Sequence, residues 1–317
     1  MKKFKLYKKL KAKLNSTRVE FIFNINLLNN IGKYDKFKDK LKNSNLRLKG
    51  STSMSDAVNM TGIPETMLQT LYARAKETES GRNIINDPIA VKIVSELDYD
   101  FSFAEADKTM SSGVIARTIL LDKMCGKYLS EHPDTSVINI ACGLDTRCYR
   151  MEGKFRDWYN LDLPETMAIR KSFLKETDKI HQLAFSAMDE LWTGEIKDKE
   201  GNFLIIIEGL SMYLSRQDVK QIFKLIDENF KTATVYFEVM NPFVVSHVKE
   251  KSIEGSRAKF SWGIRNGRDF EVLVPPFKNA EDRSLVEGMQ VFMPVYKILG
   301  KIPFIRNISN KILVMEK

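Results

Sequence analysis

The sequence predicts a doubly wound α/β fold, a mostly parallel sheet covered by helices on both faces. Two observations carry that prediction. Short runs of β-branched and aromatic residues recur along the chain with helical patterns between them, at a spacing that leaves room for crossover helices. The composition is that of a chain able to bury a sizeable core, with 317 residues, 43% apolar and 29% charged. The tightest apolar run, residues 203–207, is strand-length and falls short of the roughly 20 residues a membrane-spanning helix needs. No apolar stretch with a cleavage site follows the basic start, so no signal peptide is read. Three cysteines without framework spacing point to a reducing cytoplasm and against a disulfide scaffold.

The net charge of +9 is unevenly spread: residues 1–50 hold 15 Lys and Arg against three acids, a net of +12, and the remainder is net −3. The basic character therefore belongs to a leader, residues 1–54, and a single domain is expected over 55–317. The leader reads as a Lys/Asn-rich disordered segment or a mis-assigned one, since Met54 and Met60 would each serve as a start. Its alternative reading is an arm that binds anionic lipid or RNA, with Phe4, Leu6, Tyr7 and Leu10 interleaved among lysines.

Within the domain, strands are expected at 136–141, 157–163, 181–185, 203–209, 234–240, 291–295 and 311–316. A helix follows the fourth, with Ser215 as its cap, Asp218 three residues on, and Val219, Ile222, Phe223, Ile226 and Phe230 as its apolar face. In such sheets ligands sit beyond the carboxyl ends of the strands. After the first strand comes Ala141-Cys142-Gly143-Leu144-Asp145-Thr146-Arg147, whose single glycine permits a tight turn but lacks the three glycines of a dinucleotide-binding loop. That turn suits a ligand without phosphates and disfavours a nicotinamide oxidoreductase. Asp162 follows the second strand, 19 residues past Gly143, where an acid can accept from ribose hydroxyls. Asp189 follows the third and could accept from an adenine amino group; Glu208 closes the fourth, ahead of Gly209-Leu210-Ser211-Met212-Tyr213-Leu214. A polar residue after a strand is often only a helix cap, so the weight rests on the acids recurring in order.

The blocks 143–147, Asp162-Leu163-Pro164-Glu165 and 208–214, with Arg74-Ala75-Lys76, Asp87-Pro88, Arg117-Thr118 and Asp122 upstream, resemble the leucine carboxyl methyltransferase family, including its bacterial polyketide O-methyltransferase branch. The resemblance covers roughly residues 60–240. It implies a class I sheet of seven strands with the last antiparallel, helical caps at both ends, and S-adenosylmethionine as cofactor. By resemblance, Gly143 packs on the methionine part of the cofactor, Asp162 holds the ribose, Asp189 lies near the adenine and Glu208 near the methionyl end. Arg117 pairs with the cofactor carboxylate, and Lys76 matches a contact of the eukaryotic branch. Ala141 stands where many relatives have glycine.

The remaining residues read as follows. Cys125, Cys142 and Cys148 have no histidines at ligand spacing, so no metal site is expected. Residues 209–213 resemble a nucleophile elbow without its second glycine. His132 is expected in a solvated turn, and His181 and His247 as structural. Arg147 and Arg150 either face the ligand or pair with acids in the loop. A helix at 114–128, carrying Arg117, should lie over the cofactor, and 241–310 should cap the substrate pocket. There Tyr213, Arg265 and Arg268 are the substrate-side candidates, the arginines for an anionic acceptor. The expected reaction is in-line methyl transfer to a carboxylate or hydroxyl of a small metabolite. A carboxylate, with a pKa of about 4, is ionised at neutral pH and needs no base. The alternatives are a cofactor-binding protein that has lost turnover, or one whose basic leader supplies the function by binding membrane or RNA.

Overall fold

The computed structural model describes residues 47–48, 65–248 and 262–317. The rest of the basic leader, with Met54 and Met60, lies outside the described residues, as does the side chain of His247. The seven sheet strands are β1 Ser136–Ile140, β2 Trp158–Asp162, β3 Ile180–Ala184, β4 Asn202–Ile207, β5 Thr232–Val239, β6 Lys278–Ser284 and β7 Lys311–Glu316. Their order across the sheet is β3-β2-β1-β4-β5-β7-β6. Strands β1 to β5 are parallel, and β7 runs antiparallel to both its neighbours.

Side-chain alternation explains why the sheet is covered twice. Val137, Leu204 and Ile206 face α3 (Lys108–Glu131), packing on Leu120, Leu121, Met124 and Cys125. Ile138, Ile140, Ile205 and Ile207 face the opposite way, onto Val219, Ile222, Phe223 and Ile226 of α5 (Arg216–Asn229). With both faces buried, a central strand reads as a continuous apolar run, and residues 203–207 are fully buried. The α5 N-terminus carries the expected capping box: Asp218 N–H donates to Ser215 Oγ and Ser215 N–H to Asp218 Oδ2, worth about 1 kcal/mol. Helices α1 (Glu65–Glu79) and α2 (Pro88–Glu96) form a third cluster over Leu144, and α4 (Pro164–Phe173) joins β2 to β3. Arg47–Leu48 pairs antiparallel with Leu97–Asp98.

One expected strand is absent from its place. Residues 291–295 belong to the helix Val286–Phe292 and the turn after it, and the sixth strand is Lys278–Ser284. Pro294 has no N–H for a ladder and ends the helix instead. The true edge strand, Lys-Asn-Ala-Glu-Asp-Arg-Ser, has no apolar alternation to reveal it. Its charges and the bulge between Asn279 and Glu281 suit an edge that must not pair further.

Candidate functional site

The strand order reverses between β1 and β4, so the crevice beyond their carboxyl ends is where a ligand belongs. The chain leaves β1 through two positive φ angles, 55° at Ala141 and 48° at Gly143. A Cβ on Gly143 would lie 3.2 Å from Met67 Cγ of α1, so dihedral and packing both call for glycine. The Gly143 N–H donates to Asp162 Oδ2 at 2.8 Å, and Leu163 N–H to Asp162 Oδ1 at 2.8 Å. The two residues picked from spacing are thus in direct contact. Burial raises the Asp162 carboxyl pKa, with the two N–H donors pulling the other way. Under the turn, fully buried Arg170 of α4 donates from Nη1 to the carbonyls of Gly143 and Asp145, at 2.9 and 2.7 Å. Sequence reasoning did not find Arg170; its one signal was a cation on the apolar face of α4, beside Thr166, Met167 and Ile169.

A continuous relay of ion pairs frames the site. Asp87, at the N-cap of α2, is fully buried and accepts from Arg74 Nε at 2.9 Å, Thr146 Oγ1 at 2.6 Å and Arg150 Nη1 at 3.2 Å. Arg150 reaches Asp122, which also binds Arg147 Nε at 2.7 Å. Arg147 donates onward to Asp145 at 2.6 Å and Glu208 at 3.0 Å. Arg117 Nε lies 2.7 Å from Glu208 Oε1, and its Nη1 donates to Glu238 at 3.0 Å. Glu238 also accepts the Gly209 N–H at 2.7 Å. Arg147 and Arg150 are therefore held by carboxylates in the relay. Burial would lower the pKa of Arg147, but Asp145, Glu208 and Asp122 hold it well above the ordinary value. Burial also works to raise the pKa of Asp87, but Arg74 and Arg150 bring it below the usual range. For Glu238 burial wins and the pKa is raised, although Arg117 opposes it. Glu238 was not singled out in the sequence, because a lone acid inside the apolar strand β5 has no motif around it.

The other candidates are placed as follows. Asp189 is half-buried after β3 and accepts the Leu191 N–H at 3.0 Å. Lys76 lies nine residues beyond Met67 on α1, about 13 Å along the axis. It pairs with Glu79 at 3.0 Å and borders a cleft of about 300 Å³ lined by Tyr72, Glu77, Arg82 and Ile115, away from the glycine turn. Tyr213 is half-buried in the turn after β4 and packs beside Met212, Met240 and Val245. Arg265 and Arg268 are exposed. Ser211 is buried and donates to the Glu238 carbonyl at 2.6 Å, which ties the turn to β5. All three cysteines are buried, and burial raises the Cys125 and Cys148 thiols to about 12 and about 11. No group of His, Cys, Asp and Glu able to hold a metal occurs among the described residues. His181 binds Asp157 at 2.9 Å at the amino end of β3, and His132 caps α3.

The residues at the strand ends fit a nucleoside cofactor without phosphates. Gly143 spends its N–H on Asp162, so that amide is not offered to a pyrophosphate. Each Asp162 oxygen takes one N–H and Thr166 adds a side-chain hydrogen bond, which leaves the carboxylate, with about four lone-pair sites, room for a ribose hydroxyl. Beside it Leu163 is 44% exposed, an apolar surface for a base. Fold and site together define a class I methyltransferase, whose cofactor is S-adenosylmethionine.

Comparison with known proteins agrees. Residues 67–227 match the leucine carboxyl methyltransferase family, and the chain belongs to that family. It is 31% identical over 252 residues to the tetracenomycin polyketide synthesis O-methyltransferase TcmP of Streptomyces glaucescens, covering 78% of this chain and 93% of that one. It is 29% identical over 263 residues to the S-adenosyl-L-methionine-dependent methyltransferase dpfgK of Gibberella zeae, covering 74% and 86%. In fold it is similar to the crystal structure of a methyltransferase from Thermobifida fusca, with TM-score 0.55, 10% identity, and coverage of 84% of this chain and 99% of that one.

Proposed function

We propose that this O-methyltransferase transfers the methyl group of S-adenosylmethionine to a carboxylate of a small-molecule acceptor in the cytoplasm, and that 55–317 is its single catalytic domain. The cofactor supplies a methyl group activated on a sulfonium. Asp162 accepts from its ribose and Asp189 from its adenine, while Gly143 lets the backbone approach. Arg117 is oriented by Glu208 and Glu238; a guanidinium has five N–H donors, enough for the cofactor carboxylate as well. The protein's task is then to hold acceptor oxygen, methyl carbon and sulfur in line, which can supply about 7 kcal/mol or more.

The observation that carries the carboxylate reading is where the bases are. Both histidines with described side chains lie at the amino edge of the sheet, opposite the site: His132 before β1 and His181 at the start of β3. Of the acids near the crevice, Asp145 and Glu208 are engaged by Arg147, and Glu238 by Arg117. Burial raises the Tyr213 pKa further from neutrality. A carboxylate needs none of them, whereas a phenol with a pKa of about 10 would. The test is the chemistry of the product. With radiolabelled cofactor and a panel of aromatic and aliphatic carboxylic acids and phenols, the label should appear as a methyl ester released by mild alkali. Label that survives alkali as an ether would overturn the carboxylate assignment.

A further inference from the structure

We propose that the connection between β6 and β7 is a membrane-docking cap that seats the mouth of the site on an anionic lipid surface. Ser284 at the end of β6 pairs with Lys311 at the start of β7, and Lys311 pairs with Val239 at the end of β5. Residues 285–310 therefore rise from the same edge as Gly143, Asp162 and Glu208. The connection is fixed to the site wall. A Cβ on Gly288 would fall 2.0 Å from the carbonyl oxygen of Ala116, so the helix Val286–Phe292 lies backbone to backbone on α3, one residue from Arg117.

Beyond that anchor the connection turns its apolar side chains outward. Val291, Val295, Ile298, Ile302 and Phe304 are 57%, 52%, 72%, 40% and 65% exposed. They hold five of the nine large exposed hydrophobic positions among the described residues, in a stretch of 14. Lys297 and Lys301 stand exposed among them, Arg306 just beyond pairs with Glu287, and no acid occurs between Glu287 and Glu316. Exposed apolar side chains interleaved with cations alone match an interface of hydrocarbon beneath anionic headgroups. Charge also decides against other occupants. A two-fold contact between copies would set Lys297 and Lys301 against themselves. Residues 1–50 carry a net of +12 and would be repelled by the patch but drawn to the same lipid surface.

The test is flotation of the full chain with vesicles of phosphatidylcholine alone and of phosphatidylcholine mixed with phosphatidylglycerol. Wild type should float with the mixed vesicles. Ile298→Asp/Phe304→Asp should weaken partitioning by roughly tenfold or more, and Lys297→Gln/Lys301→Gln by roughly thirtyfold. Circular dichroism and S-adenosylmethionine affinity should be unchanged in both variants, which separates this proposal from the methyltransferase reading. The leader is present throughout, so unaltered flotation of both variants would assign lipid contact to it and overturn the proposal. Wild type that fails to float would do the same. So would a wild-type dimer that Ile298→Asp/Phe304→Asp dissociates, which would make the patch an interface between copies.

Discussion

Ala141 and Gly143 both hold positive φ in the turn after β1, and they should respond oppositely to substitution. A Cβ in this region costs about 1–2 kcal/mol, which Ala141 already bears. Ala141→Gly removes that strain and adds a glycine's unfolded-state entropy, so a net gain of up to about 1 kcal/mol is expected, a melting rise of roughly 2–4 °C. Gly143→Ala adds the strain and presses on Met67, so it should lower the melting temperature by at least as much and weaken cofactor binding. Differential scanning calorimetry of the two variants checks both. At Asp162 the expectation concerns pH. In the proposed site its ionised form accepts from the ribose, and its pKa is raised by burial. Cofactor affinity should therefore fall on acidification from a pH above the ordinary aspartate value of 3.8, and Asp162→Asn should flatten that dependence in titrations across the acid range. Gly143 and Asp162 were legible in the sequence because their spacing mirrors strand geometry. Glu238 and Arg170 were not, since a buried ion is betrayed only by its partners, which come from distant segments.

At the scale of elements, Asp87 joins α1 through Arg74, the turn after β1 through Thr146, and α3 through Arg150 and Asp122. Removing its charge leaves Arg74 buried with carbonyl partners alone, while Arg150 keeps Asp122. Asp87→Asn should cost about 3–5 kcal/mol, and Arg74→Met/Asp87→Asn should cost less than the sum of the single variants; urea unfolding gives both. The elements themselves were legible to different degrees. Buried parallel strands such as β4 and the capped helix α5 declare themselves, because burial on two faces or one stripe dictates the residue pattern. The edge strand β6 did not, because its residues answer to solvent and to negative selection against further pairing. Residues 291–295 misled for the complementary reason, since their apolar character serves an exposed surface.

At the scale of the whole molecule, the relay from Arg74 to Glu238 makes stability depend on acid. Asp87 and Asp145 have folded pKa values below their ordinary ones, so their contribution is present above about pH 4 and is lost as pH falls through the folded values. Glu238, with a raised pKa, acts in the opposite sense and loses its contribution as pH rises through its folded value. The two lowered carboxyls should dominate, and the urea midpoint should drop below about pH 4, less steeply in Asp87→Asn. In the proposed function, Gly143 and Asp162 form the floor of an S-adenosylmethionine site. Calorimetric titration of S-adenosylmethionine and of its demethylated product into the full chain, beside Asp162→Ala, tests it most directly. Both ligands should bind in the micromolar range, and Asp162→Ala should lose that binding while its fold is retained. No binding to the folded wild type, or equal binding to Asp162→Ala, would contradict that assignment.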